Sequence, residues 1–104
     1  MDKAITFLGF AQRKRAVVKG VNAVSYQKKA SLLILCSTAK ENTVKAAKSL
    51  SKKLHAPLLV SNEPVENLVH KENCKLIAVT DMNLARAILE NVGETFSILE
   101  ESEN

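Results

Sequence analysis

Five consecutive apolar residues at positions 32–36 constrain the fold more than any other feature of this chain. A short apolar run without alternation is typical of a strand that is buried on both faces of a sheet. Two further short apolar runs occupy residues 58–60 and 76–79, and residues 16–18 form a short extended segment. The sequence therefore predicts a sheet of about four strands.

The segments between these strands have the spacing of helices. Apolar residues recur at helical intervals over residues 2–13, about 41–54 and 81–90, and shorter helices are predicted over 21–29 and from 62 onwards. Thr38 and Glu41 have the spacing of a capping box, and Asp81 is the expected cap of the last helix. Strands that alternate with helices indicate the α/β class, as a three-layer α/β/α sandwich with a central mixed sheet.

The length and composition fit one domain. The chain has 104 residues, of which 46% are hydrophobic, and this supports a single core. We assign residues 1–93 to the domain and residues 94–104 to an acidic C-terminal tail, in which residues 95–99 either add an edge strand or pack loosely. The longest apolar run is far below the roughly 18 residues that span a bilayer, and the first residues lack the features of a signal peptide. The expected location is the cytoplasm, with no membrane partner.

The basic charge is concentrated in the first half of the chain. Residues 1–53 contain twelve Lys/Arg and two acids, a formal charge of +10, whereas residues 54–104 contain three Lys/Arg and nine acids, a formal charge of −6. A local potential of this size favours a polyanionic partner such as RNA or DNA. The alternative is a solvated basic surface that keeps the protein soluble.

Catalytic and metal-binding patterns receive little support. Cys36 lies between a strand and a helix, where a thiolate can be stabilised, but a buried apolar thiol explains it better, and a disulfide with Cys74 is a minor alternative. His55 and His70 lack partners at metal or triad spacing and are interpreted as surface histidines. The cap role explains Asp81 without a metal. We therefore expect no enzymatic activity, cofactor or metal.

The most informative cluster is the turn over residues 13–22. Four basic residues precede Gly20, which lets a backbone approach a ligand closely, and Asn22 follows at the start of a helix, whose amides favour phosphates. The Asn22 carboxamide can read a base edge. Taken alone, Gly20 is equally well explained as a turn residue and Asn22 as a helix cap. Thr38 and Lys40 are expected at the same end of the sheet, where they would add contacts.

Three segments occur in an order and with spacings that are found together in one known family. They are FLGFAQR (7–13) with VVKG (17–20), LLILC (32–36) with ENT (41–43), and AVTD (78–81) with LARAIL (84–89). Over about residues 4–91 they resemble small bacterial members of the ribosomal L-seven-Ae / L-thirty-e family. The resemblance implies a three-layer α/β/α fold and binding of kink-turn RNA, a bent duplex built on sheared G·A pairs.

The resemblance also implies an RNA-binding motif at the start of the second helix: Gly, any residue, Asn, Glu, and a Lys three positions after the Glu. Gly20 and Asn22 match, whereas Ala23 stands at the Glu position and Tyr26 at the Lys position. Ala23 cannot accept from a guanine edge as a carboxylate does, and Tyr26 reaches guanine oxygens poorly. The family's second contact, an apolar loop, falls on residues 69–74, where the central four residues, 70–73, are polar in this chain. Tyr26 is expected either to stack on an unpaired base or to pack on the helix surface.

These observations predict a non-enzymatic, monomeric RNA-binding protein, an accessory of the ribosome or of another structured RNA, with kink-turn RNA as one candidate ligand. Basic side chains would hold phosphates, and Asn22 would hold a base edge. The alternative is a protein-interaction module that kept the fold but lost RNA recognition. The predicted RNA-binding residues are Arg13, Lys14, Arg15, Lys19, Gly20, Asn22, Ala23, Tyr26, Thr38, Lys40 and Asn42.

Overall fold

The apolar run Leu32–Cys36 forms the central strand of the sheet, as predicted, and all five of its residues are buried. The computed structural model describes residues 3–93 and 95–100. In chain order the elements are α1 (Lys3–Arg13), β1 (Val17–Lys19), α2 (Val21–Ser25), β2 (Leu32–Cys36), α3 (Glu41–Leu54), β3 (Leu58–Ser61), α4 (Val65–Val69), β4 (Leu76–Val79), α5 (Met82–Glu90) and β5 (Phe96–Glu100). Within the described ranges, no helix combines the length and the apolar character needed to cross a membrane.

The strands form one mixed sheet in the order β1-β4-β2-β3-β5. β2 and β3 are parallel and are joined through α3, as a crossover between parallel strands requires. The other neighbouring strands are antiparallel. The predicted α/β class is therefore confirmed, with five strands rather than about four.

Side chains from the two faces of the sheet form two separate cores, which define three layers. On one face, α1, α4 and α5 pack over Leu32 and Ile34 of β2. On the other face, α2 and α3 pack over Leu33 and Leu35. Because successive side chains of a strand point to opposite faces, this one short strand contributes to both cores. The predicted α/β/α sandwich is confirmed.

The fifth strand lies in the segment that the sequence analysis assigned to an acidic tail. β5 pairs with β3 at the edge of the sheet, and the Phe96 side chain is 1% exposed. The edge strand is thus the correct alternative for this segment, and the sheet continues through Glu100 instead of ending before residue 93. The rest of the predicted tail, residues 101–104, lies outside the described residues.

α3 and α5 end where they were predicted to end, but α2 is shorter than predicted. Asp81 caps α5 as expected, because its carboxylate accepts a hydrogen bond from the Leu84 amide at 2.9 Å. α2 ends at Ser25, whose hydroxyl donates to the carbonyl of Asn22 at 2.6 Å. The next amides also bond three residues back, which tightens the chain into a turn. A five-residue helix has too few aligned peptides for the phosphate-binding terminus that the sequence suggested.

The predicted capping box at the start of α3 is not formed. Lys40, rather than Thr38, is the N-cap residue, and its side chain makes no capping hydrogen bond. The Thr38 hydroxyl instead accepts a hydrogen bond from Lys75 Nζ at 3.0 Å, and Lys45 Nζ lies 3.4 Å from the Glu41 carboxylate. The tertiary contact with Lys75 therefore replaces the local contact that the spacing indicates.

Candidate functional site

The chain that leaves β1 and the chain that enters β4 lie side by side at one end of the sheet. Lys19 pairs with Ile77, and the Gly20 amide donates to the carbonyl of Leu76 at 2.8 Å. Gly20 has a φ of 99°, a left-handed conformation that favours glycine. A Cβ atom at this position would meet no atom within 4 Å. The backbone conformation, rather than a lack of space, therefore selects glycine here.

An open cleft, which we call the α2 cleft, lies between the start of α2 and the segment that precedes β4. Its volume is about 560 Å³, within the roughly 300–1,000 Å³ that is usual for ligand sites. The lining comes from residues 19–23, Thr43 of α3 and residues 71–75. It presents three lysines, two asparagines and one threonine against a single acid, Glu72. The cleft thus offers mainly hydrogen-bond donors and positive charge to a ligand.

Seven of the predicted RNA-binding residues lie in or beside this cleft. Lys40 and Asn42 are exposed at the start of α3, whose Thr43 lines the cleft, and Thr38 contacts the lining residue Lys75. Asn22 and Ala23 are exposed, so no other side chain covers the carboxamide that was predicted to read a base. The predicted residues that line the cleft themselves are Lys19, Gly20, Asn22 and Ala23.

The prediction of one continuous basic surface is wrong for residues 13–15. These residues lie at the opposite end of the sheet, where the Thr80 amide donates to the Ala16 carbonyl at 2.9 Å. The extended strand β1 separates them from the cleft. At about 3.3 Å per residue, the three extended residues of β1 alone span roughly 10 Å between the two ends. The part of a ligand that binds in the α2 cleft therefore does not also contact residues 13–15.

Two of these three basic side chains have partners within the protein. The Arg13 guanidinium lies 5.0 Å from the centroid of the Phe10 ring, within the range of a cation–π contact. Lys14 Nζ forms an ion pair with the Asp81 carboxylate. Arg15 is exposed and has a left-handed φ of 59°. Packing and helix capping therefore account for Arg13 and Lys14 without an RNA ligand.

Two of the three cleft lysines are also held by protein groups. Lys19 Nζ donates to the carbonyl of Val69 at 3.3 Å, which ties β1 to the end of α4. Lys75 Nζ donates to Glu66 Oε2 at 2.7 Å. Lys71, by contrast, is exposed. It is the cleft lysine that is best placed to meet an anionic ligand.

Hydrogen bonds donated by lysines lower the pKa of two carboxylates. The hydrogen bond from Lys75 holds the pKa of Glu66 below its usual value, and the same bond raises the pKa of Lys75. At the opposite end of the sheet, the hydrogen bond from Lys14 lowers the pKa of Asp81, and the Leu84 amide adds to this effect. The charged forms of both pairs are therefore favoured at neutral pH.

Lowering the pH from about 5 to about 3 should reduce the thermal stability of the protein. A carboxylate whose pKa is lowered by folding stabilises the fold above its unfolded value, near 4. This contribution is lost as the pH falls through the folded value. The midpoint of thermal unfolding, followed by circular dichroism, should fall less steeply with pH in Glu66→Gln than in the parent. Glu72→Gln, an exposed residue of the same type, is the control, and equal slopes in the two variants would contradict the role of Glu66.

Both cysteines are buried free thiols, as predicted. The surroundings of Cys36 are more polar than predicted, because its Sγ atom lies 3.1 Å from Thr38 Oγ1 and accepts from the Val65 amide at 3.3 Å. Burial raises the pKa of the Cys74 thiol, which disfavours a reactive thiolate there. In residues 3–93 and 95–100, no group of three or more His, Cys, Asp or Glu side chains is placed to hold a metal ion.

Tyr26 follows the last helical residue of α2, and its side chain is 84% exposed. The alternative that it packs on the helix surface is therefore wrong, because the early end of α2 leaves the ring in solvent. The exposed ring is accessible to a planar ligand. His55 and His70 are also exposed, as predicted, and they follow α3 and α4 with left-handed φ values of 52° and 55°.

The predicted RNA-binding residues do not include five polar residues that line the cleft: Thr43, Lys71, Glu72, Asn73 and Lys75. Thr43 reaches the cleft because α3 packs beside α2 on the same face of the sheet, and no local pattern reveals that packing. Asn73 and Lys75 reach it because β4 pairs with β1. For residues 71–73, the only sequence signal was the resemblance, which places a second contact on residues 69–74. Lys75 lies just outside that loop and had no such signal.

Comparison with known proteins supports the fold and leaves the ligand open. No protein-family model matches the chain, and no curated protein matches it. Among solved structures, it is similar to a protein of unknown function from Bacillus halodurans, with a TM-score of 0.72 and 25% sequence identity. The similarity covers 86% of this chain and 96% of the other. Because the function of that protein is unknown, the similarity bears on the fold alone.

Proposed function

We propose that this chain is a non-enzymatic, cytoplasmic RNA-binding protein that holds a bent or unpaired RNA element in the α2 cleft. It would act as a monomeric accessory of the ribosome or of another structured RNA, with kink-turn RNA as the first candidate. One observation carries the proposal: Asn22 is exposed in a donor-rich cleft between α2 and residues 71–75. These are the two segments on which the family resemblance places the RNA contacts.

Asn22 is the group proposed to read a base. Its carboxamide has two N–H donors and one acceptor oxygen, so it can form two hydrogen bonds to a base edge. The left-handed turn at Gly20 brings the backbone past the mouth of the cleft without a side chain. A nucleotide can therefore approach the main chain closely next to Asn22.

Phosphate contacts are proposed for the lysines around the cleft. Lys71 lines the cleft and is exposed, Lys40 is exposed at the start of α3, whose Thr43 lines the cleft, and Lys19 also lines it. Neutralised phosphates release counterions, so the affinity should decrease steeply as the salt concentration rises. Residues 13–15 are not required, because they lie at the opposite end of the sheet.

Replacing Asn22 by alanine should weaken binding to a kink-turn RNA by roughly 5- to 150-fold, which corresponds to about 1–3 kcal/mol for one well-placed base contact. Gel shifts at low salt with a kink-turn, and with the same RNA lacking its G·A pairs, measure this effect. Asn67→Ala, an exposed asparagine on α4 in the opposite layer, is the matched control. An Asn22→Ala protein that discriminates between the two RNAs as well as the parent does would exclude Asn22 as a base-reading residue.

The second candidate function is a protein-interaction module, and the edge strand β5 favours it. Ile98 and Leu99 are exposed on this strand, and an exposed edge offers unpaired main-chain groups to another chain. The same gel shifts separate the two candidates. If the parent protein binds neither RNA at low salt, the interaction module becomes the better proposal.

A further inference from the structure

The layer formed by α2, α3 and their connections, residues 20–54, carries a strong positive charge. It contains seven lysines and one acid, Glu41, which gives it a formal charge of +6. All seven lysines are exposed. Among the described residues, this layer has one ion pair, between Glu41 and Lys45 at 3.4 Å. Most of the positive charge is therefore available to a partner.

The lysines of α3 form a row along its outer surface. Lys45, Lys48 and Lys52 recur at intervals of three and four residues, which places them on one side of a helix. The opposite side packs into the core through Ala47 and Leu54, among others. From Lys45 to Lys52, seven residues at 1.5 Å each give a row about 10 Å long, and Lys40 and Lys53 flank it at the two ends of the helix.

Helix stability explains only part of this row. Lys45 has its partner Glu41, and Lys52 and Lys53 both lie in the last turn, at the negative end of the helix dipole. Lys48 and Lys52, however, are four residues apart, and like charges at that spacing destabilise a helix. Lys40 lies at the positive end of the dipole, where a cation is unfavourable. These unfavourable placements are consistent with selection for an external anion.

The row begins at the α2 cleft and leads away from it. Thr43, in the first turn of α3, lines the cleft, and the row continues from there towards Lys52 and Lys53 at the other end of the sheet. We infer that it binds the phosphates of an RNA double helix, an arm that extends from the element held in the α2 cleft. This inference rests on the proposed function and adds the length and the direction of the bound RNA.

The chemistry of the row favours a duplex over other partners. A duplex has a regular, closely spaced row of phosphates along each strand, and the straight row of lysines can follow several of them. Single-stranded RNA is usually held by aromatic side chains that stack on bases, and α3 contains no aromatic residue. The outer surface of α3 also lacks the large apolar anchors on which protein partners usually depend.

The test compares two RNAs and two double variants. One RNA contains the bent element with minimal stems, and the other carries the same element with one stem lengthened by about one helical turn. Lys48→Gln/Lys52→Gln removes two charges from the row. Lys3→Gln/Arg86→Gln removes two exposed charges from α1 and α5 in the opposite layer. Dissociation constants are measured at several salt concentrations.

We expect the lengthened RNA to bind the parent more tightly than the short one. Lys48→Gln/Lys52→Gln should weaken binding of the lengthened RNA on the order of ten-fold and lower its salt slope by about 1.8, since each phosphate contact contributes about 0.9. Binding of the short RNA, and all binding by the opposite-layer variant, should be unchanged.

If the lysine variant binds both RNAs as the parent does, the duplex inference is overturned while the proposed function stands. An equal loss in both double variants would also overturn it, because the effect would then reflect net charge alone. If the parent binds neither RNA, the proposed function itself fails, and the inference fails with it.

Discussion

Replacing Phe96 by alanine should lower the free energy of unfolding by about 3–5 kcal/mol, the usual cost of removing a buried aromatic ring. Phe96 is 1% exposed and belongs to the core between the sheet and α1, α4 and α5. Urea unfolding followed by circular dichroism measures the change. A loss of this size is a large fraction of the stability of a small domain, so the variant should be partly unfolded at physiological temperature.

Ile98→Ala is the matched control for this prediction. Ile98 lies two residues further along β5 and is 49% exposed, so its truncation should cost less than about 1 kcal/mol. A similar small loss in both variants would mean that β5 contributes little to the fold. In that case the boundary near residue 93 that the sequence suggested would be the better description of the domain.

Introducing the family's glutamate and lysine, as Ala23→Glu with Tyr26→Lys, should increase the affinity for kink-turn RNA by ten-fold or more. Each restored contact to a guanine edge is worth about 1–3 kcal/mol. Ala23 lines the α2 cleft, and both side chains are exposed, so neither substitution disturbs the core. Titrations with a kink-turn and with the same RNA lacking its G·A pairs measure the gain.

The control for the double variant introduces the same two residue types elsewhere. Asn83→Glu with Asn67→Lys changes exposed positions on α5 and α4, in the opposite layer, that do not line the cleft. The gain should occur only for Ala23→Glu with Tyr26→Lys, and only for the RNA that keeps its G·A pairs. An equal gain for both RNAs would indicate a general charge effect, and no gain would argue against a kink-turn in this cleft.

The parts of the fold that depend on local patterns were predictable. The apolar run of β2, the amphipathic α3 and the Asp81 cap of α5 each follow from residues that are close together in sequence. β5 was harder to identify, because its stability depends on pairing with β3, which lies more than thirty residues earlier. The capping box failed for the same reason, since Lys75 takes the Thr38 hydroxyl from a distant part of the chain.

Some of the residues that form the α2 cleft were predictable from the sequence, but their arrangement in space was not. Gly20 and Asn22 were recognised from their residue types, and the structure places them in the cleft. Arg15 is only five residues from Gly20, and the sequence suggested one turn that contains both. The extended strand β1 lies between Arg15 and Gly20, and an extended chain gives the largest distance between its ends. The two residues therefore lie at opposite ends of the sheet.

The position of β4 between two earlier strands has a consequence for the order of events during synthesis. β1 and β2 do not pair with each other, since each pairs with β4, which lies between them. During synthesis, residues 1–53, which carry most of the positive charge, therefore emerge before β4, the strand that joins β1 to β2 in the sheet. We expect the nascent polypeptide to form the α2 cleft abruptly, when residue 79 becomes available, rather than gradually as each helix is added.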